Sequence, residues 1–288
     1  MASPWIRAFL VLTAGTVCTS AVGQGPGPSP TDLLIGSSAS ERGEPAAEPD
    51  RIETDRDSFT PTTRVVGRGR LVAESAYTFS QNRDGSTQHS FPELLLRFGL
   101  TDRVEFRLGW NYEIGNVDVS GAGLARGDAS VSDTERGHHI SYGFKVGLTE
   151  QDGLRPESAF ILQAATPTDT VENFTTLAGT YVFGWAVLRD WKWDSAVRYV
   201  ASREGSDHYG LWTASTVLKI PIGERWAPHV EYFTLATVGK QEGFVKHYIS
   251  PGAHYLVTPD LEVGVRFGWG MNDQSDRFFA NVGLGLRY

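Results

Sequence analysis

From Leu71 to Tyr288 the chain is a run of short segments in which apolar and small or polar residues take turns. Val104, Phe106, Leu108, Trp110 and Tyr112 alternate with Glu105, Arg107, Gly109 and Asn111. His138, Ile140, Tyr142, Phe144, Val146 and Leu148 alternate with His139, Ser141, Gly143, Lys145 and Gly147. Leu261, Val263, Val265, Phe267 and Trp269 alternate with Glu262, Gly264, Arg266 and Gly268. A period of two is the period of a strand, and it sends successive side chains to opposite faces. In each segment the charges lie opposite the aromatic residues. A soluble β-sandwich also alternates, but its outward face is polar and rarely carries many Trp and Tyr near strand ends. The charged face here must therefore point into something, and the aromatic face out of it.

The connectors fall into two kinds that themselves alternate. Tight ones occur at 100–103, 188–190, 221–224 and 257–260, with a looser version at 149–156 around Asp152-Gly153. Longer polar ones occur at 81–88, 115–136, 166–173, 202–207, 237–243 and 271–276. These connectors predict twelve strands, an even number, with both ends of the strand region on the tight-turn side. Short turns on one side, long loops on the other and an even count are the marks of an outer-membrane barrel. Trp191, Trp193, Trp226, Tyr255 and Tyr288 lie near tight turns, and Trp110, Tyr112, Tyr199 and Trp269 toward the long loops. Two aromatic girdles around an apolar band suit a barrel in lipid. Strands of about 10 residues tilted by about 40° would cross the ~25 Å apolar band. A lipocalin-like barrel would close with eight strands. The facing of residues 191–219 stays open, since Trp212, Ala214, Thr216, Leu218 and Ile220 or Leu211, Thr213, Ser215 and Val217 could turn outward.

The last segment, Phe278 to Tyr288, alternates to its final residue. It resembles the terminal assembly signal of bacterial outer-membrane barrels, an alternating strand ending in Phe, Tyr or Trp. That resemblance implies Tyr288 as the signal and the barrel assembly machinery as a partner. The expected fold is an all-β transmembrane antiparallel barrel, residues 70–288, in the bacterial outer membrane with its N- and C-termini periplasmic and lipid around it.

Composition narrows the rest. No uninterrupted apolar run reaches the ~18 residues of a membrane helix, which excludes a helical membrane protein. A formal charge of −8 and the lack of a Lys/Arg cluster argue against nucleic acid. Residues 1–23 read as a secretory signal, with Arg7, an apolar stretch from Ala8 to Val17 and small residues from Thr19 to Gly23. Cys18 is the one cysteine, and Val17 before it does not fit a lipoprotein signal. Residues 24–51 are rich in Pro, Gly, Ser, Ala and acids, which predicts a disordered periplasmic linker.

Residues 52–61, Ile-Glu-Thr-Asp-Arg-Asp-Ser-Phe-Thr-Pro, followed by Gly69-Arg70-Leu71, resemble the opening of a family of outer-membrane transporters named for the MetA pathway of phenol degradation. The family opens on I-x-T-D-R-P-D-F-T and continues as a barrel to a C-terminal aromatic. Here Asp57 stands where the family has Pro and Ser58 where it has Asp. The resemblance covers about residues 52–288 and implies a channel, with aromatic compounds as the suggested cargo. Asp55 and Arg56 then have two readings. Residues 52–69 plug the periplasmic mouth, these two charges pairing with lumen groups, or the segment is the end of a linker and the charges stay in water.

The inward face is expected to hold Glu74, Glu93, Arg97, Glu105, Arg107, Lys145, Arg198, Glu231, Lys246, Glu262 and Arg266. Acids and bases are nearly balanced, so no strong ion selectivity follows. These groups form a ladder of cross-strand ion pairs filling the lumen or line a solute pathway. The sharper expectation is a constriction at Arg97, Arg107 and Arg266 that draws in an anionic or aromatic solute. Glu93, Glu105 and Glu262 belong to the same candidate set. No enzyme signature, cofactor motif or metal site emerges. His138 and His139, beside the acidic 115–136 loop, are the best candidates for rim chemistry, but adjacent strand residues face opposite ways. Ser206-Asp207-His208 is consecutive, whereas a triad is defined by geometry. The reading is a passive channel for a small, aromatic or hydrophobic solute, with a rim-sited enzyme and a structural or adhesive barrel as alternatives.

Overall fold

The computed structural model describes residues 50–288 apart from 57, 115–135, 169–173, 189–190, 205–206 and 241. The expected signal at 1–23, and the expected linker save Asp50 and Arg51, lie outside the described residues. Twelve strands follow one another: β1 Leu71–Gln81, β2 Thr87–Gly99, β3 Val104–Ile114, β4 Arg136–Thr149, β5 Glu157–Pro167, β6 Thr176–Ala186, β7 Lys192–Glu204, β8 Asp207–Lys219, β9 Trp226–Val238, β10 Val245–Thr258, β11 Leu261–Gly270 and β12 Phe278–Arg287. Each pairs antiparallel with its neighbours in sequence, and β1 pairs with β12 to close the ring. The seam runs from Val72 opposite Arg287 to Gln81 opposite Phe278. It is finished by Tyr288, whose N–H donates to Leu71 O at 2.8 Å and whose C=O accepts from Leu71 N at 3.2 Å. Closure leaves no sheet edge with unpaired N–H and C=O groups, which lipid would not tolerate.

The strand count and facing agree with the alternation in the sequence. Leu108 and Trp110 of β3 are exposed while Glu105, Arg107 and Asn111, at the alternate positions, are buried. The same holds along β11, where Val263, Val265, Phe267 and Trp269 point out and Glu262 and Arg266 point in. On β8 Trp212 is exposed and Leu211, Thr213, Ser215 and Val217 are buried, which settles the open facing. One expected loop is shorter than its polarity suggests. β7 and β8 pair as far as Glu204 opposite Asp207, so 202–207 is mostly strand. Strand ends beyond the apolar band stand in water, where polar residues pair as readily as apolar ones.

The interior is divided. Toward the tight turns it is charged, with Glu74, Arg97, Glu105, Arg107 and Lys145 all buried. Toward the long loops, on the wall built from β6 to β10 and β12, it is apolar: Ala178, Val200, Leu211, Phe233, Leu235, Tyr248 and Phe279 form one buried cluster. The segment before β1 has no regular secondary structure, and it enters this interior from the tight-turn end. Ile52 and Val66 pack with Val72 at the entrance, and Phe59 joins the apolar cluster.

Candidate functional site

A chain without helix or sheet must find partners for its N–H groups elsewhere. The N–H groups of Asp55, Arg56, Phe59, Thr60 and Val66 find them on the carboxylates of the barrel wall. Glu74 Oε2 accepts from the N–H groups of Asp55 and Arg56, both at 2.8 Å. Glu231 accepts from Phe59 N at 3.0 Å, from Thr60 N at 2.7 Å and from Thr60 Oγ1 at 2.7 Å. Glu105 Oε2 accepts from Val66 N at 2.8 Å, and Glu262 Oε1 from Thr54 Oγ1 at 2.6 Å. An ionised acceptor makes each of these bonds roughly twice as strong as a neutral one. β1, β3, β9 and β11 thus hold the segment from widely separated parts of the ring.

The charges of the segment point at the opposite charges of the wall. Asp55 Oδ2 lies 2.6 Å from Arg107 Nη1 and 3.7 Å from both Arg97 Nε and Lys145 Nζ. Its other oxygen accepts from Thr62 N at 2.9 Å, folding the segment back on itself. Arg97 also bonds Glu105 through Nε at 3.0 Å and Nη2 at 3.1 Å, and Glu74 through Nη1 at 3.1 Å. Arg56 donates to Leu94 O at 2.5 Å and to Asn111 Oδ1 at 3.0 Å, and stands 3.9 Å from Glu93. Gly109 gives space beside this reach: a Cβ there would crowd Ser141 Oγ most, and would stand 3.0 Å from Leu94 O and 3.4 Å from the Arg56 guanidinium. Nearer the mouth, Glu53 pairs with Lys192 at 3.1 Å and Arg64 at 3.5 Å, and Thr63 Oγ1 donates to Glu157 at 2.7 Å.

Farther in, the ring of Phe59 stacks on Phe233 with centroids 4.2 Å apart and planes 8° from parallel. The Arg198 guanidinium lies over the same ring at 5.5 Å. Phe233 continues to Tyr248 at 4.9 Å and to Phe279 at 5.9 Å. Arg266 covers Phe279 at 5.2 Å and approaches Glu231 at 3.4 Å.

Asp55 and Arg56 are buried, with Asp55 against Arg107 and Arg56 against Asn111. Glu93, Arg97, Glu105 and Arg107 meet around this pair. Arg266 is held with Glu231 and Phe279, and Glu262 with Thr54 and His254. Arg97 and Arg107 share Asp55 and Glu105, so the three arginines expected at one constriction are divided between two groups of partners. Sequence reasoning singled out neither Phe59 and Thr60, which sit inside the opening motif, nor Lys192, which lies in a segment whose facing the alternation left open. The rim histidines face opposite ways: His139 is buried, and His138 Nδ1 bonds Thr168 Oγ1 at 2.9 Å. The 115–135 loop and Ser206 lie outside the described residues. Among the described residues, no group of three or more His, Cys, Asp or Glu is arranged to hold a metal ion.

A closed, lipid-facing twelve-stranded barrel with a charged interior defines an outer-membrane β-barrel protein. Residues 54–288 match the family described as "Putative MetA-pathway of phenol degradation", and the chain belongs to that family. Among solved structures, an outer membrane channel from Pseudomonas putida F1 shares the fold at 12% identity with a TM-score of 0.54, over 82% of this chain and 100% of that one. The NanC porin aligns at 10% identity and a TM-score of 0.49, over 75% of this chain and 98% of that one. The β domain of the Bordetella autotransporter BrkA aligns at 10% identity and a TM-score of 0.47, over 77% of this chain and 100% of that one. No curated protein matches the sequence.

Proposed function

We propose that the protein is a passive outer-membrane channel for a small aromatic or hydrophobic solute, working without a cofactor and closed at rest by its own residues 52–66. The carrying observation is the way that segment is held. It crosses the lumen on hydrogen bonds and ion pairs to Glu74, Glu105, Asp55's three cations and Glu231, with Phe59 as its aromatic contact inside. Polar contacts of this kind exchange for water when the segment withdraws, whereas a covalent or wholly apolar stopper would not. The barrel wall has no such exchange available, because its strands close on one another. The family name and the fold shared with a channel support the reading.

Both described ends of the chain lie among the tight turns, with Asp50 bonded to Arg70 and Arg287. Short turns belong to the periplasmic side of bacterial barrels, which supports periplasmic termini and lipid around the outer face. The exposed Tyr288 at the end of β12 suits recognition by the barrel assembly machinery. The test is conductance in a planar bilayer. The mature chain should show rare, small steps, and a variant beginning at Arg64 should show larger and longer ones. Equal conductance from the two would sink the plug, and silence from both, with folding established, would sink the channel.

A further inference from the structure

Phe59 is the one aromatic residue between Asp50 and Arg70, and it is the part of the plug that reaches the apolar layer. Its ring meets residues of the barrel wall: Phe233 stacked at 4.2 Å and the Arg198 guanidinium over it at 5.5 Å, with Leu211, Leu235, Tyr248 and Phe279 in the same cluster. A flat slot built of an arene and a guanidinium, with two further rings packed against that arene, is a site for a planar ring carrying negative charge. Arene stacking selects the ring, and a guanidinium both stacks on it and binds a carboxylate. Arg266, over Phe279 at 5.2 Å, adds a second cation to the same layer.

We infer that the Phe59 slot is a binding site for aryl carboxylates, and that Phe59 occupies it as a tethered competitor, so that a solute entering the slot displaces the tip of the plug. The inference rests on the channel reading for its consequence, since displacement then opens the path, but the site itself is defined by binding alone. Withdrawal of Phe59 also removes two N–H groups from Glu231, whose carboxylate 3.4 Å from Arg266 then turns fully to that cation. The two states of the plug thus differ at one acid and one ring. A competitor that shares a site lowers the apparent affinity of the ligand by the fraction of time it leaves the site free.

The experiment is calorimetric titration of the full mature protein in detergent with sodium benzoate, and with cyclohexanecarboxylate, which has the same charge and no arene. Phe59→Ala should bind benzoate about tenfold more tightly than the parent, because the tethered competitor is gone. Phe59→Leu should show a smaller gain, because its side chain fills part of the slot without stacking. Cyclohexanecarboxylate should gain nothing, and adding Phe233→Leu to Phe59→Ala should erase the gain. Heat-dependent mobility on gels establishes that each barrel is folded, and Phe59→Leu keeps the apolar volume if Phe59→Ala does not fold. Equal gains for both acids, or no gain in either Phe59 variant, would overturn the inference. Conductance of the same variants separates the two readings. Current without benzoate binding would leave the channel and remove the site, whereas binding without current would do the reverse.

Discussion

Asp55 on the N-terminal segment and Arg107 on β3 are joined by a 2.6 Å ion pair between two fully buried side chains. Taking one member of a buried pair away strands the other without solvent, at a cost of about 3–5 kcal/mol. Here Asp55 is one of the acids shared by three cations: Arg97 keeps Glu74 and Glu105 without it, Arg107 keeps Glu105, and Lys145 keeps the Thr62 hydroxyl. The cost falls below that range, and the cheapest relief is water entering the lumen. Asp55→Asn should therefore loosen the plug while leaving the barrel folded. Bilayer recordings should show more frequent openings than the parent. Combining it with Arg107→Gln should cost much less than the sum of the two changes, because both break one network. Additive effects would mean that the pair is not what seats the plug.

A glycine of β12 supplies room for the start of the segment. At Gly285 on β12 a Cβ would stand 2.3 Å from Thr54 Cγ2 and 3.3 Å from Ile52 Cδ1. Gly285 pairs within the sheet with Glu74 and Glu262, and strand backbone accepts a larger residue without strain. Gly285→Leu should push the start of the plug out of its seat and raise conductance. At Gly147 the nearest atom to such a Cβ is 3.8 Å away, so Gly147→Ala should leave conductance unchanged. If Gly285→Leu conducts like the parent, the segment has another seat.

Much of this architecture is legible in the sequence, for a physical reason. A barrel wall one strand thick separates lipid from lumen, so each strand must alternate, and alternation is a local property. The reading falters where the lumen is apolar. On β8 both faces carry small or aliphatic residues, because Leu211 belongs to the cluster around Phe233, and the alternation that marks β3 and β11 disappears. It also overestimates the 202–207 loop, since polarity at the rim reports water and not the absence of pairing. The candidate site is less legible. The opening motif points to Asp55 and Arg56, and the alternation points to Arg97, Glu105 and Arg107. That these meet depends on which strands the segment crosses, and Glu74 and Glu231 serve as backbone acceptors for a chain distant in sequence. No local pattern encodes that.

Glu231 is the acceptor for the inner half of the plug. Glu231→Gln keeps the shape and one acceptor oxygen but loses the charge that strengthens its bonds to Phe59 N and Thr60 N. Hydrogen bonds to charged groups contribute about 1.5–3 kcal/mol each. Protection of these two amides in hydrogen exchange should fall by roughly 10- to 100-fold, following that range. The amides of Asp55 and Arg56, bonded to Glu74, should change less. Uniform loss of protection along the segment would mean that the plug releases as one unit and not from its inner end.

The entrance to the segment is clasped by Asp50, which lies outside the membrane-spanning strands. Its carboxylate meets Arg70 at 2.6 and 2.7 Å and Arg287 at 2.8 Å, and Arg287 is also bonded to Asp260. The hydrogen bond from Arg70, helped by the charge and hydrogen bond of Arg287, lowers the Asp50 pKa from 3.8 to about 2. A carboxyl whose folded pKa lies below its unfolded one adds stability that is present above the unfolded value and lost as pH falls through the folded value. The clasp should therefore hold at neutral pH and open between about pH 4 and pH 2. A spin label at Arg51→Cys, in a chain beginning at Gln24 and so lacking Cys18, reports it directly. The label should be restrained at pH 7 and gain a mobile component across that acid range. In an Asp50→Asn background the mobile component should be present at pH 7 and insensitive to further acid. A line shape that stays constant from pH 7 to pH 2 with Asp50 in place would show that the clasp does not hold the segment.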